Sequence, residues 1–380
     1  MYLTPSRHVR PFLRGATLVG AAVSLALASA PRTECPASPE AVHSVPTVSS
    51  AVVAVPPEAA SRGVIELPSW TARFPSDAEL DDDTRDAIAH QARSLAALLP
   101  AGSGLRDELF SRLVRLPICG RAHSAAVSGV FAEASPVEIA SALAQANTGC
   151  DEVLVETAGF APTVDAGLAA RLLVLAEGSP DDAIRRAAWL SYGSLGETAE
   201  RTGDTALAKE ISSRVERELR AAKDARRLVL VKTAGNAACA GCLPEVARDL
   251  GSPDVARRTS AVAAYRFVDG RASVAVMCGA LAKDAQDAVR DMAAWSLEWR
   301  GGAAAERAKC LESSARIDPS RRVRLQAVLA LGVLSDGHAE SRRALERLAH
   351  ETDLDMQPFA QRALEVRDAT PAPLLAALDD

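Results

Sequence analysis

An arginine followed by a small or apolar residue at +3 and again at +7 recurs along the second half of this chain, and its spacing restricts what the chain can become. The series runs Arg185 (Ala188, Tyr192), Arg226 (Val229, Thr233), Arg258 (Ala261, Tyr265), Arg290 (Ala293, Leu297) and Arg324 (Ala327, Leu331). Arg227, with Leu230 and Ala234, serves equally well as the second anchor, and Gln357, with Ala360 and Leu364, takes the arginine place in a last copy. After a first interval of 41 residues, successive anchors lie 32, 32, 34 and 33 residues apart. Offsets of 0, +3 and +7 share one face of a helix, whereas in a strand they fall on both faces. Two helices of about 12–15 residues and two tight turns fill such an interval.

A lone helix pair cannot bury its apolar stripe. Stacked pairs can, with a small residue at +3 permitting close approach and a larger one at +7 filling the layer. Composition agrees: hydrophobic residues make up 48% of the chain but aromatics only 4%, so any core is built from Ala, Leu and Val. Those residues suit closely packed helices, while strand-rich folds draw on aromatic and β-branched side chains. Beyond Pro75, as in "SDAELDDDTRDAIAHQARSLAALL", Ser and Asp capping candidates precede helical apolar spacing. No convincing period-two segment follows. The expected fold is all-α, a right-handed α-α superhelix (solenoid) over residues 76–380, with clear repeats over 181–368. Asp182, Asp224, Asp254 and Asp287 lie two to four residues ahead of anchors, where they can cap helices. An Asp of one repeat can also pair with the Arg of the next, making a ladder.

Two stretches, "DAVRDMAAWSLEWRG" and "RRVRLQAVLALGVLSDG", match the "D…VR..A...LG" core of HEAT repeats, and "AGNAACAGCLPEVARDL" matches their turn and Pro-containing second helix. Residues Asp181 to about Asp368 therefore resemble HEAT repeats of the short bacterial type. A thinner likeness, in "AAWLSYGSLG", "VKTAGNA" and "ALAQANTGCDEVLV", is to the helical domain of vitellogenin and microsomal triglyceride transfer type lipid transfer proteins. Solenoids offer extended concave surfaces and no enclosed pocket, so the expected function is non-catalytic: a scaffold or adaptor binding a protein or peptide on its concave face. One alternative, implied by the second resemblance, is a lipid- or lipoprotein-assembly factor. The large β-sheet cavities that hold lipid in those proteins are missing from this pattern, so bound lipid is not expected. The other alternative is a lyase-like HEAT protein, after the bilin lyases that some bacterial members resemble.

The N-terminus carries Arg7, Arg10 and Arg14 without an acidic residue, then an uncharged apolar run from Gly15 to Ala30. This is the n-region and h-region of a secretory signal over residues 1–28, with cleavage between Ala28 and Ser29; retention as an anchor is the alternative. Loss of the three arginines takes the formal charge from −6 to −9. The chain is expected in the periplasm, the cell envelope or outside the cell, with no stable membrane span after cleavage. Residues 29–75, rich in Pro, Ala, Ser and Val, read as a disordered linker. An acidic chain without a basic block gives no electrostatic footprint for nucleic acid.

No phosphate loop, nucleophile elbow or His-Glu-x-x-His helix is present. The six histidines, His8, His43, His90, His123, His338 and His350, have no metal-ligand spacing, so neither metal, cofactor nor catalytic residue is expected. Trp189, Tyr192, Tyr265 and Trp295 fall at core positions, and Trp299 lies just beyond one, where a half-exposed binding aromatic would sit. Seven cysteines in an exported chain invite disulfides. Cys119 and Cys150, and Cys278 and Cys310, are each one helix pair apart, and Cys35 is the natural odd one out. Cys239 and Cys242 form the single Cys-x-x-Cys, in the expected turn before Pro244. A local disulfide, two free thiols, or redox or metal chemistry remain open for it.

Overall fold

The computed structural model describes residues 77, 80–115, 120–145, 151–299, 302–351 and 355–369. They fall within one compact unit, Glu66–Asp380. The expected signal and linker, His8, His43, Cys35, Cys119 and Cys150 lie outside the described residues.

Seventeen α-helices, two short 3-10 helices (Ala240–Cys242 and Arg248–Gly251) and no strand make up the regular structure of the described residues. They are α1 (Asp82–Leu98), α2 (Gly104–Val114), α3 (Arg121–Phe131), α4 (Pro136–Gln145), α5 (Asp151–Ala158), α6 (Ala166–Gly178), α7 (Asp182–Thr202), α8 (Thr205–Ala221) and α9 (Asp224–Asn236). The series continues through α10 (Leu243–Ala247), α11 (Val255–Ala264), α12 (Arg271–Lys283), α13 (Asp287–Ser296), α14 (Ala304–Ile317), α15 (Arg321–Ser335), α16 (Ala339–His350) and α17 (Gln357–Ala369). The fold is all-α, and no described helix is long and apolar enough to cross a membrane.

Aspartates start many of these helices by accepting orphan backbone N–H groups. Asp81 caps α1 at the Thr84 amide, Asp165 caps α6 at Leu168, Asp204 caps α8 at Leu207 and Asp254 caps α11 at Ala256. Three expected caps are displaced. Asp181, not Asp182, caps α7 at Ala183, and α13 follows Gln286 with no side-chain cap, leaving Asp287 inside its first turn. Asp224 likewise lies inside the first turn of α9, at φ 49. Each helix then buries one stripe; α8 buries Leu207, Ile211, Val215 and Leu219 at i, i+4 spacing.

Packing follows a parity rule. The odd-numbered helices make one unbroken row, each touching the next from α1 to α17. Even-numbered helices back this row, with α2, α4 and α6 in series and α12, α14 and α16 in another. Odd neighbours meet at small residues. A Cβ on Gly193 of α7 would lie 2.5 Å from the Thr233 carbonyl oxygen of α9, and one on Gly235 of α9 would lie 2.7 Å from Ala264 Cα of α11. Gly129 and Gly159 are as tightly covered by α1 and α7. Even neighbours are bridged by ion pairs, Arg106–Glu138 (2.6 Å), Arg214–Glu177, Arg271–Glu306 (3.2 Å) and Arg347–Glu312 (2.6 Å), and α12 and α14 also by Cys278 and Cys310.

Candidate binding surface

The repeat arginines build a ladder across the starts of the odd helices. Arg258 makes a two-pronged pair with Asp284 (2.8 and 3.1 Å), Arg290 with Asp318 (2.8 and 3.0 Å) and Arg324 with Asp355 (3.2 and 2.6 Å). Each guanidinium also donates to the carbonyl six residues before it: Arg258 to Ser252, Arg290 to Asp284 and Arg324 to Asp318. Thus the backbone of Asp284 accepts from one arginine while its side chain accepts from another, and Asp318 repeats the arrangement. Burial pushes the Asp284 carboxyl up, but hydrogen bonds from Arg258 and the Gln286 amide outweigh it and hold the pKa below the usual carboxylate value. Arg185 makes the carbonyl bond, to Ser179, and pairs with Asp182 in its own first turn. At the second anchor the half-buried guanidinium is that of Arg227, which meets Asp249 and the Glu245 carbonyl; Arg226 is exposed and pairs with Glu218. The ladder carboxylates are therefore not the aspartates ahead of each anchor but those that follow the next even helix, 26 to 31 residues later.

The cysteines sit in two settings. Cys239 and Cys242 lie at disulfide distance (2.02 Å) in the turn joining α9 to α10, with only 3% and 0% of their surface exposed. That burial closes the approach a thiol-exchange partner needs. Cys278 of α12 and Cys310 of α14 also lie at disulfide distance (2.07 Å), beside an open groove that reaches the exposed Ile317. Among the described residues no three His, Cys, Asp or Glu side chains are grouped to hold a metal ion.

The open side of the odd row carries a second constellation, spread over four successive helices. Asn236 of α9 donates to the Leu190 carbonyl of α7 (3.1 Å) and accepts from Arg266 (2.5 Å), just past the end of α11. The Arg266 guanidinium lies over the Phe267 ring (4.4 Å) and the Trp295 ring of α13 (5.6 Å). Trp299 meets Trp295 (5.2 Å) and Phe267 (5.4 Å) edge to face. While Trp189, Tyr192 and Tyr265 are buried as expected of core residues, Trp295 and Trp299 are only partly covered. Three nitrogens of this cluster, Arg266 Nε, Trp295 Nε1 and Trp299 Nε1, are buried without a hydrogen-bond partner. Burial pushes the Arg266 pKa down to about 10, against the opposing charge of Glu197.

Two cations and an apolar stripe continue this surface. Lys232 stands one turn before Asn236, and Arg186 one turn before Leu190; no carboxylate pairs with either among the described residues. Burial, then the like charge of Arg186, pushes the Lys232 pKa below its usual value. On the far side, Asp291, one turn before Trp295, accepts from Arg322 of α15 (2.7 Å). The stripe that Arg322 begins leads on to the exposed Leu329 and Val333. The repeat signature flagged Trp299 but not Arg266, Phe267 or Lys232, which lie at or beyond helix positions that the packing pattern leaves unconstrained.

Glu298 flanks the two tryptophans with no ion pair or side-chain hydrogen bond among the described residues, and burial pushes its pKa up to about 7. The folded chain therefore keeps a proton that the unfolded chain releases between the usual 4.5 and about 7, so stability falls as pH rises through that window. The full effect is about 3 kcal/mol or less. Glu298→Gln is expected to stabilise the chain at pH 8 and change little at pH 4, read by urea unfolding at both; equal effects at the two pH values would refute the assignment.

Compared with known proteins, the chain matches no family model and no curated protein.

Proposed function

We propose that the chain is an exported, non-catalytic α-solenoid of HEAT-like helix pairs that binds a protein or peptide along the face of its odd-numbered helices. Several features support this reading. An unbroken row of odd helices backed by even ones is what stacked helix pairs produce. The odd helices approach one another closely at glycines, as stacked repeats require. Two cysteine pairs at disulfide distance fit an oxidising compartment, as does the signal-like N-terminus.

The observation that carries the proposal is the cluster of Arg266, Phe267, Trp295 and Trp299. Aromatic residues and arginine dominate the energetics of protein interfaces, and here the rings of Phe267, Trp295 and Trp299 are only partly covered. The test is a cross-linked pull-down from the native cell envelope with the wild-type chain and Trp295→Ala/Trp299→Ala. The expected result is a discrete partner set, reduced at least tenfold in the variant while the helical circular dichroism is retained. An unchanged set would sink the proposal.

A further inference from the structure

Several polar groups of this surface without a partner are donors, while the Glu298 carboxyl is an unpaired acceptor. Arg266 Nε and the two indole nitrogens are buried without acceptors, whereas Lys232 and Arg186 lack a carboxylate partner among the described residues. Like charges this close disfavour each other unless an anion lies between.

Apart from Glu197 of α7, whose charge acts on Arg266, the acidic groups lie at the limits of this region. Glu152 and Glu156 lie to one side on α5, with Glu156 pushed up by burial and by Glu152. Asp291 is neutralised by Arg322 on the other side, and Glu298 stands beside the tryptophans. Positive charge is thus confined to α7, α9 and Arg266, and beyond it the surface turns apolar through Phe267, Trp295, Trp299, Leu329 and Val333. A long polyanion would meet carboxylates at both ends of this strip. A short acidic stretch joined to apolar side chains would not.

We infer that the odd-row face binds an extended peptide whose acidic side chains meet Lys232 and Arg186 and whose aromatic or aliphatic side chains rest on Phe267, Trp295 and Trp299. The inference rests on the peptide-binding reading above and adds the ligand's chemistry and spacing. Lys232 and Trp295 lie two helices apart in the odd row; at about 8–10 Å per helix this is about 16–20 Å, the reach of about five or six extended residues. Acidic and apolar positions of the ligand are therefore offset by that number. Carboxylate oxygens supply the acceptors that the ammonium and guanidinium groups lack, and the attraction weakens with salt.

The test is selection of a random twelve-residue peptide library on the full-length protein, alongside Lys232→Glu/Arg186→Glu and Trp295→Ala/Trp299→Ala. Wild type is expected to enrich peptides with Asp or Glu five or six positions from Phe, Trp, Leu or Ile. A synthesised winner should lose at least tenfold in affinity in the charge-reversed variant and at higher salt. The charge-reversed protein should itself enrich Lys or Arg at the same offset, a gain that misfolding cannot produce. Enrichment of apolar peptides without the acidic offset would overturn the ligand chemistry and leave peptide binding standing. No enrichment at all would overturn both. Displacement of the winning peptide by a single-stranded oligonucleotide at lower concentration would assign the surface to nucleic acid and overturn the inference.

Discussion

Arg290→Ala is expected to destabilise the chain by about 3–5 kcal/mol, because it strands a buried carboxylate rather than merely deleting a contact. Arg290 and Asp318 are 8% and 7% exposed, and their two-pronged pair is shielded from solvent. Removing the guanidinium leaves Asp318 charged and unpaired, and also frees the carbonyls of Asp284 and Ala285 that Arg290 satisfies at 2.9 and 3.2 Å. Lysine keeps the charge but not the planar fork, so Arg290→Lys should recover only part of the loss. Arg290→Met/Asp318→Leu, which removes both charges, should be milder than the single alanine. Urea unfolding followed by circular dichroism measures all three. A loss below about 1 kcal/mol for Arg290→Ala would mean the ladder is decorative. Arg322→Ala is the comparison: its pair with Asp291 is largely open on the arginine side, so the loss should be far smaller.

Gly193→Ala and Gly279→Ala are expected to have opposite signs. Both replace glycine inside a helix, where alanine is favoured by about 0.8–1 kcal/mol on propensity alone. At Gly279 of α12 nothing lies within 4 Å of the new methyl group, so that gain should appear in full. At Gly193 the methyl group would meet the Thr233 carbonyl oxygen at 2.5 Å and the Thr233 methyl at 3.0 Å. A backbone oxygen cannot rotate aside as a side chain does, so α7 and α9 must separate. Overpacking of this kind costs about 1–3 kcal/mol, and moving the helices also disturbs the Asn236 bond to the Leu190 carbonyl. Gly193→Ala should therefore melt lower than the wild type and Gly279→Ala slightly higher. Equal shifts would remove close approach as the principle of the odd row.

Much of this architecture can be read locally. The helical character beyond Pro75, the interval near 33 residues and the arginine at the start of alternate helices follow from the 3.6-residue period and from Asp and Gly at helix ends. The interhelical ladder was foreseeable in kind, since a recurrent arginine needs a recurrent anion. Its membership was not: Asp284, Asp318 and Asp355 follow even helices, whereas the aspartates ahead of the anchors belong to helix starts. The choice between Arg226 and Arg227 was equally invisible, because a shift of one residue turns a side chain by about 100° and both registers offer apolar partners.

What the sequence determined by itself, then, is the unit: a helix pair with its caps, its apolar stripe and its arginine. Tertiary structure alone decided which helices touch, which carboxylate each arginine reaches and which aromatics are left open. The reason is range. Helix formation is settled within a few residues, but Arg266 meets Asn236 across 30 positions and rests on Trp295 across another helix pair. No local pattern specifies such neighbours, because they depend on how closely glycine and alanine let successive helices approach.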